Sequence, residues 1–125
     1  MIIGLGIDIT ELDRIKRSLE KFGERFAEKI LTEKEMELIP QKNPVPYLSA
    51  RFAAKEAAVK ALGTGFSEGI TFQCIEITRL ESGAPKLTFH GKALERSRSM
   101  GVESIHISIT HGRDNAAAVV VLEKT

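Results

Sequence analysis

Strand-period and helix-period stretches alternate along this chain. Residues 2–9 are rich in β-branched side chains and predict a strand. Thr10, with Asp13 three residues on, resembles a capping box and predicts a helix that Gly23 interrupts or ends. Thr32 with Glu35 repeats the pattern and predicts a short helix stopped by Pro40, and Asn43-Pro44-Val45-Pro46 then predicts an extended connector. Residues 50–62 carry six alanines and predict the strongest helix, with Gly63 placed for a left-handed cap. Residues 71–80 and 86–90 predict two strands joined by the Glu81-Ser82-Gly83-Ala84-Pro85 turn. Residues 92–100 predict a helix capped by Gly101. Ile105, Ile107 and Ile109 then alternate with Ser104, His106, Ser108 and Thr110 as a half-polar strand. A turn at 111–115 leads to a last strand, 116–123, whose composition predicts burial on both faces. The fold class is α+β, with a helical layer packed against a mostly antiparallel sheet.

Composition narrows the function classes. The 125 residues, 42% apolar and 28% charged, fit one soluble globular domain spanning 1–125, with no linker or repeat to divide it. Eighteen Lys and Arg against 17 Asp and Glu leave a net charge of +1, no global field for nucleic acid or anionic membrane, so electrostatic recognition is local. The single cysteine, Cys74, forms no intrachain disulfide and fits a reducing, cytoplasmic setting; no apolar run is long enough to span a membrane.

Two segments concentrate chemistry. Asp8 interrupts an apolar strand just before a helix; it serves there either as a local cap or as a carboxylate waiting for a cation or metal. On the alanine-rich helix, about 100° per residue puts Phe52, Glu56, Val59 and Lys60 on neighbouring sectors and Arg51, Lys55 and Leu62 on another stripe. Glu56 and Lys60 are either an ordinary surface pair four residues apart or part of a site where small alanines let a phosphate approach the cations. Asp8 with Glu56 would suit magnesium, which takes one or two carboxylates and completes its shell with water and substrate phosphate. Spacing leaves two separate salt bridges equally open. His106, on the polar strand face, is read as structural.

Gly6-Ile7-Asp8-Ile9 with Arg14, and Phe52-Ala53-Ala54-Lys55-Glu56-Ala57-Ala58-Val59-Lys60, resemble the two signature motifs of the phosphopantetheinyl transferases. Length and motif positions resemble the short bacterial holo-acyl-carrier-protein synthase branch. The likeness extends through residues 25–32, Gly63-Thr64-Gly65 and residues 106–111. It implies transfer of the 4′-phosphopantetheine arm of coenzyme A to a serine of an acyl carrier protein, in support of fatty acid biosynthesis, releasing adenosine 3′,5′-bisphosphate. It also implies a homotrimer with active sites at subunit interfaces.

By the same resemblance, Asp8 and Glu56 hold Mg²⁺ and Lys60 assists the leaving group, while Glu56 or a metal-positioned water takes the serine proton. Arg51, Lys55, Lys60 and His111 would meet the phosphates of coenzyme A, and Gly83 with Pro85 would form the turn that meets it. Gly112 departs from the hydroxyl residue family members commonly carry there. Arg14, Arg17, Lys21 and Arg25 recur three or four residues apart as a basic stripe for the acidic carrier, or as one side of a mixed solvated face with Glu11, Asp13, Glu20 and Glu24. Glu35 matches the family's Thr-x-x-Glu; its capping box accounts for it, with ordering of a catalytic water as a further role. A non-catalytic trimeric nucleotide-binding module and a pyrophosphate hydrolase are the competing classes.

Overall fold

The computed structural model describes residues Met1–Thr125. In chain order the elements are β1 (Ile2–Glu11), α1 (Leu12–Phe22), α2 (Glu24–Ile30), α3 (Glu33–Glu37), α4 (Val45–Leu62), a 3₁₀ turn (Phe72–Cys74), β2 (Ile75–Arg79), β3 (Pro85–Phe89), α5 (Gly91–Met100), β4 (Ser104–His111) and β5 (Asn115–Glu123). β1, β5 and β4 form an antiparallel sheet in that order, and β2 and β3 form a separate hairpin. This is the α+β arrangement the pattern predicts. No helix is long and apolar enough to cross a membrane.

α4 is the centre of the molecule, with 13 of its 18 residues buried, so nearly every face of it meets protein. One side lies on the inner face of the three-stranded sheet. Gly4 and Gly6 make that contact possible: a Cβ on Gly6 would stand 1.8 Å from the Ala57 carbonyl oxygen, and one on Gly4 2.4 Å from that of Ala61. Two residues of strand advance about 6.7 Å and four residues of helix about 6 Å, so the glycines meet successive turns of α4 in step. The next inward position of β1 is Asp8, which this contact carries to the edge of α4.

Four expectations are corrected. Thr10 does not cap α1: it is still in β1, paired with Ala116, and the cap position falls to Glu11, whose side chain makes no cap bond. Residues 43–46 are not all extended, since Pro44 caps α4 and Pro46 sits in its first turn, where a missing N–H costs nothing. Residues 72–74 coil as a 3₁₀ turn, so the strand begins at Ile75. β5 buries only one face: Ala116, Ala118, Val120 and Leu122 are buried, whereas Ala117, Val119 and Val121 are half-exposed. These three continue an outward apolar face begun by Leu5, Ile7 and Ile9 of β1, which are 64%, 67% and 69% exposed. The Thr32 capping box and the left-handed Gly63 and Gly101 caps form as the sequence predicts.

Candidate active site

From Leu48 to Leu62 every residue of α4 is buried except Glu56, which is half-buried, and Lys60, which is exposed. Both emerge beside Asp8. Lys60 Nζ donates to Asp8 Oδ1 at 3.2 Å and to the Ile7 carbonyl at 3.1 Å, while Thr10 Oγ1 donates to Asp8 Oδ2 at 2.8 Å. Burial pushes the Glu56 carboxyl above the usual carboxylate range and the Asp8 charge adds to that push, with Lys60 and Arg14 opposing it. Two carboxylates on β1 and α4 thus lie near enough for their charges to interact, each also near a cation. Thr10 went unread in the sequence as a partner of Asp8, although strand alternation puts a residue two positions on upon the same face.

The donor set fits a hard divalent cation that keeps some of its own water. No trio of His, Cys, Asp and Glu side chains converges anywhere in the chain, so Asp8 and Glu56 would be the protein's whole share of such a site, within the one or two carboxylates magnesium takes when substrate phosphate supplies further oxygens. Asp8 has acceptor capacity beyond its bonds to Lys60 and Thr10.

A second cluster lies on another side of α4. Arg51 is five residues before Glu56, about 140° round the helix and about 7.5 Å along it. A cavity of about 470 Å³ is lined by Tyr47, Arg51, Arg79, Gly83, Pro85 and His111 among others, which brings four of the sequence-predicted coenzyme A contacts together. The Arg51 guanidinium lies 4.3 Å from the centre of the Tyr47 ring, and its buried Nε has no hydrogen-bond partner. Burial lowers the Arg51 pKa from its ordinary value, and the nearby positive Arg79 lowers it further. Two arginines lining one cavity would suit an anion. Arg79 was not singled out in the sequence; the hairpin register that pairs it with Pro85 is the signal that finds it.

Lys55 is a correction. Its side chain is fully buried, with Nζ 2.6 Å from Glu35 Oε1 and 2.6 Å from the Ile30 carbonyl, so it meets no phosphate. Burial lowers its pKa and Glu35 counteracts this. Glu35 is equally committed: Oε1 also accepts from the Thr32 backbone N–H and Oε2 from that of Ile77, leaving no access for a catalytic water.

The basic stripe is also broken. Arg14, Arg17 and Lys21 share a side of α1, but Gly23, at φ 62°, ends that helix and puts Arg25 on α2. Arg14 lies over the Phe52 ring at 5.4 Å, near Glu56. Arg17 pairs with Asp13 in solvent at 3.4 Å, and Lys21 lies over Phe22 at 5.3 Å. Arg25 instead lines an apolar groove with Phe22, Phe26, Phe52 and Phe72. His106 bonds Glu123 at 2.9 Å on the outer sheet face, in keeping with its structural reading.

Comparison with known proteins shows the family. Residues 4–120 match the model of the 4′-phosphopantetheinyl transferase superfamily. The chain is 86% identical to the holo-[acyl-carrier-protein] synthase of Maridesulfovibrio salexigens over 124 residues, covering 99% of this chain and 100% of that one. The crystal structure of the Neisseria meningitidis holo-[acyl-carrier-protein] synthase superposes with a TM-score of 0.90 at 42% identity, covering 99% of this chain and 100% of its own. The Bacillus anthracis synthase, solved in complex with CoA (3′,5′-ADP), gives 0.82 at 38% identity, covering 100% and 99%. Matched by the family model over all but its ends, and by these relatives over nearly all of their lengths, the chain belongs to the 4′-phosphopantetheinyl transferase superfamily.

Proposed function

We propose that this chain is a magnesium-dependent enzyme that moves the 4′-phosphopantetheine arm of coenzyme A onto a serine of apo acyl carrier protein, with Asp8, Glu56 and Lys60 as its reacting centre. One observation carries the assignment: on an otherwise buried stretch of α4, only Glu56 and Lys60 emerge, and both emerge at Asp8. A purely structural helix has no need to aim its two accessible charges at an acid on a strand.

Asp8 and Glu56 would hold the metal, which when bound neutralises the pyrophosphate and fixes the phosphorus for in-line attack. Thr10 and Lys60 orient the Asp8 carboxylate. The serine oxygen forms the new bond to phosphorus as the bond to the adenosine 3′,5′-bisphosphate oxygen breaks. Glu56, whose affinity for a proton is raised, is suited to take the serine proton directly or through water. Lys60 lies where its ammonium stabilises or protonates the departing phosphate. Arg51, Arg79 and His111, in a cavity of their own, suit the remaining anionic part of coenzyme A, with the Gly83 to Pro85 turn closing one wall.

The acid cluster and the arginine cavity lie on different sides of α4, and the outward face of β1 and β5 is apolar. Association of copies through that face would let one nucleotide meet Asp8 and Glu56 of one chain and the arginine cavity of another, in keeping with a homotrimer. Arg14, beside the reacting centre, with Arg17 and Lys21, forms the surface suited to an acidic carrier. The free thiol and these substrates fit the cytoplasm.

The test is the intact mass of apo acyl carrier protein incubated with this protein, coenzyme A and Mg²⁺, beside a chelator control. A metal-dependent gain of one phosphopantetheine arm is expected. A carrier of unchanged mass under conditions where coenzyme A binds would refute the reading.

A further inference from the structure

α4 is an unusual helix on which to build a site. Its alanines, Ala50, Ala53, Ala54, Ala57, Ala58 and Ala61, are all buried. Alanine offers no large knob to seat between neighbouring side chains, so apolar packing fixes the rotation and axial position of α4 only through Leu48, Phe52, Val59 and Leu62 and the close fit of Gly4 and Gly6, and polar ties add to these. The active-site geometry depends on both quantities.

The strongest polar tie on α4 is the fully buried pair Lys55–Glu35. Lys55 Nζ bonds the carbonyl at the end of α2, at Ile30, and the carboxylate of Glu35 on α3. Glu35 in turn accepts from Thr32 at 2.8 Å and from Ile77 of β2 at 2.9 Å. One side chain of α4 is therefore fastened directly to two other elements and, through Glu35, to a third. Tyr47, in the first turns of α4, adds a second tie by donating to the Glu35 carbonyl at 2.7 Å.

We propose that Lys55 and Glu35 are positioning residues that set the rotation and axial register of α4, so that Glu56 and Lys60 face Asp8 while Arg51 faces the cavity. Lys55 immediately precedes Glu56 and lies one turn after Arg51, so any slip of α4 at this pair moves both clusters. Stability alone is a poor reason for such a pair, since apolar replacement of buried ion pairs is often neutral or stabilising; fixing register is the better-attested use. The catalytic consequence rests on the transferase reading above, and the geometric consequence does not.

The test compares wild type with Lys55→Met/Glu35→Gln, which removes both charges and keeps one amide oxygen, enough for either the Thr32 or the Ile77 N–H but not both. Three quantities are measured: Mn²⁺ affinity by calorimetry with coenzyme A present, kcat and KM for carrier transfer, and the thermal unfolding transition. The expected result is a cooperative transition with Mn²⁺ affinity and kcat each reduced about 10- to 100-fold and KM for carrier little changed. Wild-type Mn²⁺ affinity and kcat per folded molecule, whatever the thermal midpoint, would overturn the proposal. Should the double variant not fold, Lys55→Gln, which is neutral and one atom shorter and so cannot keep both 2.6 Å bonds to Ile30 and Glu35, is read by the same criteria. A wild type that binds Mn²⁺ yet leaves the carrier unmodified removes the transferase reading, and the Mn²⁺ comparison then decides the positioning claim on its own.

Discussion

Two lysines five residues apart on α4 each meet one carboxylate, and the two pairs are built for opposite ends. Lys55 and Glu35 have no exposed side-chain surface, meet at 2.6 Å, and also bond the Ile30 carbonyl and the Thr32 and Ile77 N–H groups. Lys60 and Asp8 meet at 3.2 Å, with side chains 52% and 15% exposed. Burial closes the first pair to any ligand. The second keeps an accessible ammonium and a partly accessible carboxylate, next to a third charge, Glu56, that burial and Asp8 make unfavourable. In the proposed mechanism chemistry falls to the accessible pair, and the buried pair holds the frame.

The sharpest way to break this contrast is at Glu56. Glu56→Gln is expected to lower transfer by about 10²- to 10³-fold. The same substitution should stabilise the metal-free protein. The folded state holds the Glu56 proton more tightly than the unfolded chain, so this group's contribution to stability is full at acid pH. It is lost as pH rises through the raised value. In chelator at neutral pH the variant should therefore melt above wild type, and a lower melting point there would contradict the environment described for Glu56.

Stability separates the lysines. Lys55→Met leaves the Glu35 carboxylate buried without its cation and should cost about 3–5 kcal/mol in denaturant unfolding. Lys60→Met removes a partly exposed pair and should cost about 0–1 kcal/mol. Equal losses would erase the distinction. A smaller effect tests the frame from its other end: Thr32 supplies the α3 cap and donates to Glu76 at 2.6 Å, a bond that is the chief cause of the lowered Glu76 pKa. Thr32→Ala should therefore cost about 1 kcal/mol. Smallest in chemical terms, Arg14→Glu should raise KM for carrier and weaken its salt dependence while coenzyme A binding changes little; an unchanged KM would remove Arg14 from the docking surface.

Much of this was legible in the sequence because local rules dominate where it was. The Thr32 capping box, the Gly63 and Gly101 caps and the turn at Gly83 to Pro85 depend on residues a few positions apart. The pairing of Asp8 with Glu56 and Lys60 followed from the likeness of two motifs, and the glycines of the first motif now have a physical part in bringing β1 onto α4. What could not be read was tertiary. Nothing in an alanine-rich helix buried on nearly all sides tells which lysine faces inward, so Lys55 is expected beside Lys60 among the phosphate contacts although the two lie on different stripes. A hydrophobic β5 reads as buried twice, although its outer face is half-exposed in the single chain. The basic residues of α1 seemed to run on into Arg25 because the turn at Gly23 could equally have been a pause within one helix.

The central claim, that the exposed lysine pair performs the chemistry, is tested most directly by single-turnover transfer to apo acyl carrier protein. The mass gain is followed in time for wild type and Lys60→Met, with the thermal midpoint of each recorded. The account predicts a rate lowered about 10²-fold or more in the variant, with an essentially unchanged midpoint. Transfer at the wild-type rate, or a loss of rate matched by a loss of folded protein, would contradict it.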